Sequence, residues 1–305
     1  MRFATYLSPR DGAEHVALVE GDRLLGLPDR RLIDLLGPDQ LADAADRARE
    51  APLEVLAEAD AVLRAPVPTP PSIRDFMAFE QHVVTASAAL GREVHPDWYE
   101  LPVFYFTNPA AVLGPTDDVP VSPGSAAFDF ELEVAAVVGT PGRDLDPAGA
   151  EAHIAGYTLF CDWSARDVQA REMTLGLGPA KGKDGATSLG PYLVTPDELP
   201  ARGVRRAPPL PLTAAVNGEV LCHGDLADLH WGFGELLAYA SRGTELRPGD
   251  VLGSGTVGGG CLLELRSADP GLPWLAAGDE VRLEAGVLGA IEARVVAGAR
   301  VVPLR

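Results

Sequence analysis

Glu131 and Glu133 stand one residue apart in the otherwise apolar run FDFELEVAAVVG, residues 128–139. Alternate side chains of a strand share a face, so these two carboxylates lie side by side with Cα atoms ~7 Å apart. Two acids together on a buried strand repel one another and lose hydration, a cost of several kcal/mol unless a cation compensates them. The bland alternative is a solvent-facing edge that leaves both hydrated, and the apolar flanks weaken it. Asp162 closes the apolar strand YTLFCDW just before a helical run, SARDVQAREM, and Asp75 opens a helix expected over about residues 76–90. Each reads either as a helix cap, with Ser164 a rival cap in the first case, or as a ligand presented at the end of an element. If Asp75, Glu131, Glu133 and Asp162 converge, the site is all oxygen and suits Mg²⁺, with Mn²⁺ or Ca²⁺ as alternatives, rather than zinc. Four ligands leave an octahedral ion open to water or a bidentate substrate.

Other residues have plainer readings beside the chemical ones. Arg166 and Gln169 share a helix face, where Arg166 suits a substrate carboxylate and Gln169 a carbonyl, or both are simply surface residues. Lys181 and Lys183 sit in the glycine-rich run 176–191, which is not a phosphate-binding Walker loop because Leu177 and Asp184 replace the required Gly and Ser/Thr. Gly253-x-Gly255-x-x-Gly258 matches a dinucleotide fingerprint in form, but the following GGGCLLELR reads as a strand where a helix is required. Thr256 in that loop is placed to touch a substrate carboxylate. His82 is a candidate base and otherwise an ordinary packed or surface histidine, and Glu264, in the expected strand CLLELR, is a candidate to orient it.

These residues need elements to hold them. Short strands are expected in residues 1–28 and helical segments in 31–63. APVPTPPS, residues 65–72, is a semi-rigid connector, dividing a small N-terminal domain (1–66) from a main domain (71–305). The main domain reads as strands at 101–108, 128–139 and 157–163, the helix 164–173, the strand YLVT, and further strands interrupted by the helix GFGELLAYASRG. Among 305 residues, Gly 33 and Pro 27 point to many turns and a strand-rich fold.

The formal net charge of −19 with no Lys/Arg run argues against nucleic acid and against an anionic membrane. Cys161, Cys222 and Cys261 show no zinc spacing, and a sparse, odd set fits a reducing cytoplasm. No signal peptide or membrane-spanning run is read.

Taken together, D-F-x-x-x-x-x-H (75–82), E-L-E (131–133), D-W-S-A-R-D-x-Q (162–169), G-K-D (182–184) and S-G-T (254–256) resemble the fumarylacetoacetate hydrolase family, in its bacterial acylpyruvate hydrolase-like branch. The resemblance implies a strand-rich α+β fold with a mixed β-roll, a homodimer, and a cation held by Asp75, Glu131, Glu133 and Asp162. It further implies His82 as the base activating water, with Glu264 orienting it. Lys183, Tyr105, Arg166, Gln169 and Thr256 would contact an oxo-acid substrate. Met77 replaces a substrate-contacting tyrosine, Cys161 an asparagine, and Gly185 a phenylalanine common in relatives. The implied reaction is hydrolytic C–C cleavage of an acylpyruvate or similar 1,3-dioxo acid. Oxaloacetate-type decarboxylation, hydration or isomerisation of an unsaturated 2-oxo acid, and a non-catalytic binding role are the alternatives.

Overall fold

The run that carries the two glutamates has apolar residues on both its faces, and such a strand needs cover on both sides. Val134, Ala136 and Val138 point one way, Ala135 and Val137 the other, and all are fully buried. In the computed structural model, which describes residues 1–89 and 91–303, strand Leu132–Val138 lies inside a twelve-stranded mixed sheet. Its main path runs Val55–Ala57, Arg23–Gly26, Glu14–Glu20, Arg2–Leu7, Thr187–Val194, Ile154–Asp162, Leu132–Val138, Val251–Gly253, Ile73–Phe76, Phe104–Thr107. Neighbours on this path are antiparallel except Val251–Gly253 and Ile73–Phe76, which run parallel.

One face of this sheet meets a second sheet of five strands. Leu212, Leu283, Ile291 and Val295 from that sheet share a core with Val134, Ala136 and Leu159. The opposite face carries Ala135, Val137, Phe160 and Leu189, covered by helix Pro38–Glu50 through Leu41, Ala44, Ala45 and Ala48. The turn Asn217-Gly218 adopts positive φ at both residues, 52° and 80°, as the tight hairpin between Pro211–Val216 and Glu219–Asp225 demands. The architecture is the strand-rich α+β class expected. No helix among the described residues is long and apolar enough to cross a membrane.

Several expected elements take other forms. Asp75 lies in strand Ile73–Phe76, and the helix begins only at Glu80 and runs to Ala89, with Leu90 outside the described residues. Pairing with Val251–Gly253 and Phe104–Thr107 fixes Ile73–Phe76 as a strand, a tertiary constraint that the local apolar pattern does not carry. Residues 31–63 hold the helix Pro38–Glu50 but also strands Val55–Ala57 and Val62–Arg64, which pair with Arg23–Gly26 and Arg2–Leu7. The strand expected at YLVT starts earlier, at Thr187, inside the glycine-rich run. CLLELR is helical: Leu262–Ala268 forms a short helix.

Chain on both sides of the proline-rich stretch shares the large sheet, because Phe3 pairs with Leu193 and packs with Leu189 and Leu193. Replacing this fully buried ring, Phe3→Ala, should cost about 3–5 kcal/mol of stability by urea denaturation. A loss below about 1 kcal/mol would show that the N-terminal strands add nothing to the shared core.

Candidate active site

Three strands of the large sheet bring acids to the same end of it. Glu133 sits at the start of Leu132–Val138, Asp162 at the end of its antiparallel neighbour, and Asp75 near the end of Ile73–Phe76. Glu131 precedes its strand and bridges Cys261. Between Glu133 and Asp75 lies Gly253, paired with Asp75. A Cβ at Gly253 would stand 2.6 Å from Asp75 Oδ1 and 3.2 Å from Glu133 Oε2, so only glycine lets these carboxylates meet. Oxygens of Asp75, Glu131 and Glu133 lie within 4.8 Å of one another, and all three residues are buried. Asp162 joins them through two shared donors. Lys183 Nζ reaches Asp162 Oδ2 at 2.7 Å and also contacts Glu131, while the Tyr105 hydroxyl lies 2.7 Å from Asp75 Oδ2 and also contacts Asp162, with one proton shared between the two acids.

Burial and mutual repulsion set the protonation of these acids. Burial, then the neighbouring Asp75 and Glu131 charges, holds the Glu133 carboxyl well above the usual range. Burial likewise raises Asp75 and pushes Asp162 up to about 8, with Glu131 and Asp75 adding repulsion that Lys183 only partly offsets. Glu131 moves the other way, because the Arg166 and Lys183 charges outweigh its burial. Five buried carboxylates, counting Asp129, face two buried cations, Arg166 and Lys183. The buried atoms Asp75 Oδ1 and Asp162 Oδ1 have no hydrogen-bond donor among the described residues. An excess of negative charge, unpartnered oxygens and purely oxygen donors all fit a hard divalent cation.

Beside this cluster stands a second constellation. His82 Nδ1 lies 2.8 Å from Glu264 Oε2, and Glu264 Oε1 accepts the Gly259 N–H at 3.1 Å. With Nδ1 engaged, Nε2 is the ring nitrogen left for proton transfer. Glu264 projects from helix Leu262–Ala268, and Asp129 fixes where that helix starts. The Asp129 carboxylate accepts Leu262 N–H at 2.8 Å and Leu263 N–H at 3.1 Å, and it also takes Arg166 Nε at 2.7 Å. Asp129 is fully buried and was not singled out from sequence. The signal was present, since Asp129, Glu131 and Glu133 follow one another at every second residue.

The structure corrects several readings. A helix does follow the Gly253–Gly258 loop, so the reason given for rejecting a dinucleotide there is wrong. Dinucleotide binding still fails physically, because Asp129 already fills the helix N-terminus where pyrophosphate would sit. Neither Asp162 nor Ser164 caps the next helix, whose N-cap is Ala165 without a side-chain bond. Asp75 lies in a strand, whereas His82 lies in the helix that follows it. The guanidinium of Arg166 is turned inward onto Asp129 and Glu131, 2.8 Å from Glu131 Oε1, rather than held open for a substrate carboxylate. Tyr105 points its hydroxyl at acids, and Thr256 Oγ1 lies 3.5 Å from Glu133 Oε1. Gln169 accepts Arg166 Nη1 on its Oε1 at 3.2 Å, which leaves its NH₂ as a free donor end. Gly182 packs so tightly under Gln169 that a Cβ would stand 2.8 Å from the Gln169 backbone. Met77 is exposed and its carbonyl takes the Trp98 indole N–H, Cys161 is fully buried, and Gly185 is exposed.

Comparison with known proteins accords with this arrangement. The family model described as fumarylacetoacetate (FAA) hydrolase C-terminal matches residues 72–296. Fumarylacetoacetase of Arabidopsis thaliana is 35% identical over 220 residues, covering 56% of this chain and 52% of that protein, so the chain spans about half the length of that relative. The human mitochondrial oxaloacetate tautomerase FAHD2A is 31% identical over 255 residues, covering 83% of this chain and 75% of its own. A maleylpyruvate hydrolase from Sphingobium sp. SYK-6, solved with manganese(II) and pyruvate, superposes with a TM-score of 0.73 at 22% identity, covering 98% and 100% of the two chains. With a family match over most of its length and a relative aligned across three quarters of that relative's sequence, this chain belongs to the fumarylacetoacetate hydrolase family.

Proposed function

We propose that the chain hydrolyses a carbon–carbon bond in an acylpyruvate or a similar 1,3-dioxo acid, using one divalent cation. The observation that carries this reading is the all-oxygen acid cluster lying beside a histidine already oriented by a glutamate. Glu131 bridges Cys261, and Cys261 Sγ in turn lies 3.4 Å from Glu264, so the two constellations adjoin. The residues that would hold the ion are Asp75, Glu131, Glu133 and Asp162. Mg²⁺ is the reading's first choice, with Mn²⁺ or Ca²⁺ as alternatives, and the manganese in the maleylpyruvate hydrolase supports the donor chemistry. Such an ion, when bound, supplies Lewis-acid polarisation of adjacent substrate oxygens.

The chain's own groups do the rest. His82 Nε2 takes a proton from water, and the hydroxide adds to the carbonyl distal to the acid end. The bond between that carbonyl carbon and the methylene then breaks. Its electron pair stays with the methylene carbon, which takes up a proton. The products are a carboxylic acid and a 2-oxo acid. Gln169, through its free NH₂, and Lys183, through its charge, stabilise negative charge on oxygen, worth about 3 kcal/mol per donor in comparable sites. A homodimer is part of this reading, and sedimentation would test it.

A second reading is favoured by one finding: the oxaloacetate tautomerase aligns over more of this chain than the plant fumarylacetoacetase does. A tautomerase needs His82 only to move a proton at carbon, without water adding. Incubation of oxo acids in deuterated water with Mg²⁺ separates the two. Hydrolysis yields two smaller acids, whereas tautomerisation leaves the skeleton intact and exchanges the α-hydrogens. His82→Ala should lower either reaction at least about a hundredfold, and a variant keeping full rate would remove His82 from the chemistry.

Removing one ligand, Glu133→Ala, should abolish both Mg²⁺ binding by calorimetry and turnover. Gly253→Ala, which pushes a methyl group between Asp75 and Glu133, should weaken Mg²⁺ binding by about tenfold or more without unfolding the chain. Full turnover of Glu133→Ala in metal-free buffer would dispose of the cation reading.

Ion uptake should also depend on pH. With Asp162 raised to about 8 and Glu133 and Asp75 also raised, the cation-free cluster holds protons at neutral pH that a cation must displace. Mg²⁺ affinity should therefore rise as pH increases through about 8, with proton release measurable in weakly buffered solution. Stability has the opposite sign. A carboxyl whose folded pKa lies above its unfolded value stabilises the fold at low pH, and that contribution is lost as pH rises through about 8. Metal-free protein should melt at lower temperature as pH rises through this window, and Mg²⁺ should restore it.

A further inference from the structure

The groups that hold His82 include one that the proposed reaction leaves idle. Cys261 Sγ lies 3.4 Å from Glu264 Oε2, and that oxygen is 2.8 Å from His82 Nδ1. Ligand atoms of the three side chains lie within 4.8 Å of one another, and all three residues are buried. They come from two elements, His82 from helix Glu80–Ala89 and the other two from the start of helix Leu262–Ala268 and its N-cap. The Gly259 N–H holds Glu264 Oε1, which leaves Oε2 facing both the ring nitrogen and the sulfur. Imidazole, thiolate and carboxylate form a donor set of zinc chemistry, unlike the all-oxygen cluster next to it.

The spacing also fits. Tetrahedral zinc bonds of about 2.0–2.1 Å to nitrogen and oxygen and about 2.3 Å to sulfur place N and O roughly 3.3 Å apart, and S and O roughly 3.6 Å apart. The observed 2.8 and 3.4 Å need open by only a few tenths of an ångström. We infer that His82, Cys261 and Glu264 form a binding site for a thiophilic divalent cation of the zinc class, distinct from the carboxylate cluster. On uptake, Cys261 releases its thiol proton to solvent and the His82 proton moves from Nδ1 to Nε2. Water fills the fourth position. A ring protonated at Nε2 no longer accepts a proton, so the occupied site blocks the chemistry of His82, a consequence that rests on the base assignment above.

Cobalt(II) is the probe, because its bond to thiolate gives a charge-transfer absorption in the near ultraviolet that oxygen ligands do not. The full-length reduced protein, with Mg²⁺ in excess for the carboxylates, is titrated with Co²⁺. The band should saturate at one equivalent and vanish on adding zinc. It should be absent in Cys261→Ser and retained in Cys222→Ser and Glu133→Gln. Circular dichroism checks that Cys261→Ser is folded. Should it not fold, Glu264→Gln keeps the thiol and should weaken Co²⁺ binding by about tenfold or more. No band in the parent protein, an unchanged band in Cys261→Ser, or unchanged affinity in Glu264→Gln overturns the site. The titration needs no substrate, so it stands or falls apart from the proposed reaction. Inhibition is read separately: the parent should be inhibited at about tenfold lower zinc than Cys261→Ser, each referred to its own zinc-free rate, and equal sensitivity removes the blocking role.

Discussion

Carboxylates buried beside one another are the constraint around which this fold is arranged. Asp75, Glu131, Glu133 and Asp162 lie at the ends of central strands where water is excluded. Desolvation and repulsion there would each cost several kcal/mol if left uncompensated. Nearby residues answer that cost in different ways. Arg166 and Lys183 bring positive charge, Tyr105 brings a hydroxyl shared between two acids, and Gly253 gives up its side chain so that the acids fit. What remains is a negative excess and two oxygens without a donor among the described residues, the electrostatic shape of a cation site.

The two halves of the site are tied through Asp129. One carboxylate holds Arg166, which neutralises Glu131, and also pins the first turn of the helix that carries Glu264. The acid cluster and the helix carrying Glu264 are thereby linked through Glu131, Arg166, Asp129 and the Leu262 and Leu263 N–H groups. Arg166 thus acts as a buried cation that neutralises acids within the site. The three residues at which the resemblance implied a departure lie in different surroundings: Cys161 is buried within the sheet, while Met77 and Gly185 are exposed.

Some of this was legible in the sequence because it is local. Alternation in FDFELEVAAVVG declares a buried strand with acids on one face, since the two-residue repeat of a strand is a property of the backbone itself. Gly and Pro abundance, and motifs spread in the family's order, indicated the strand-rich class and the family. Where sequence reading failed, the deciding contact lay far along the chain. Asp75 sits in a strand because residues 104–107 and 251–253 pair with it, and no local signal carries that pairing. Glu264 sits on a helix because Asp129, 135 residues earlier, accepts its first N–H groups.

The sequence by itself determined which residue types were available, their alternation on strands and the turn at Asn217-Gly218, because these depend on backbone geometry over a few residues. Only the tertiary structure decided which acids share a pocket, which way Arg166 and Tyr105 point, and that Gly253 must lack a side chain. Those outcomes depend on side chains brought together across many residues, where charge, burial and packing act through space and leave no local mark.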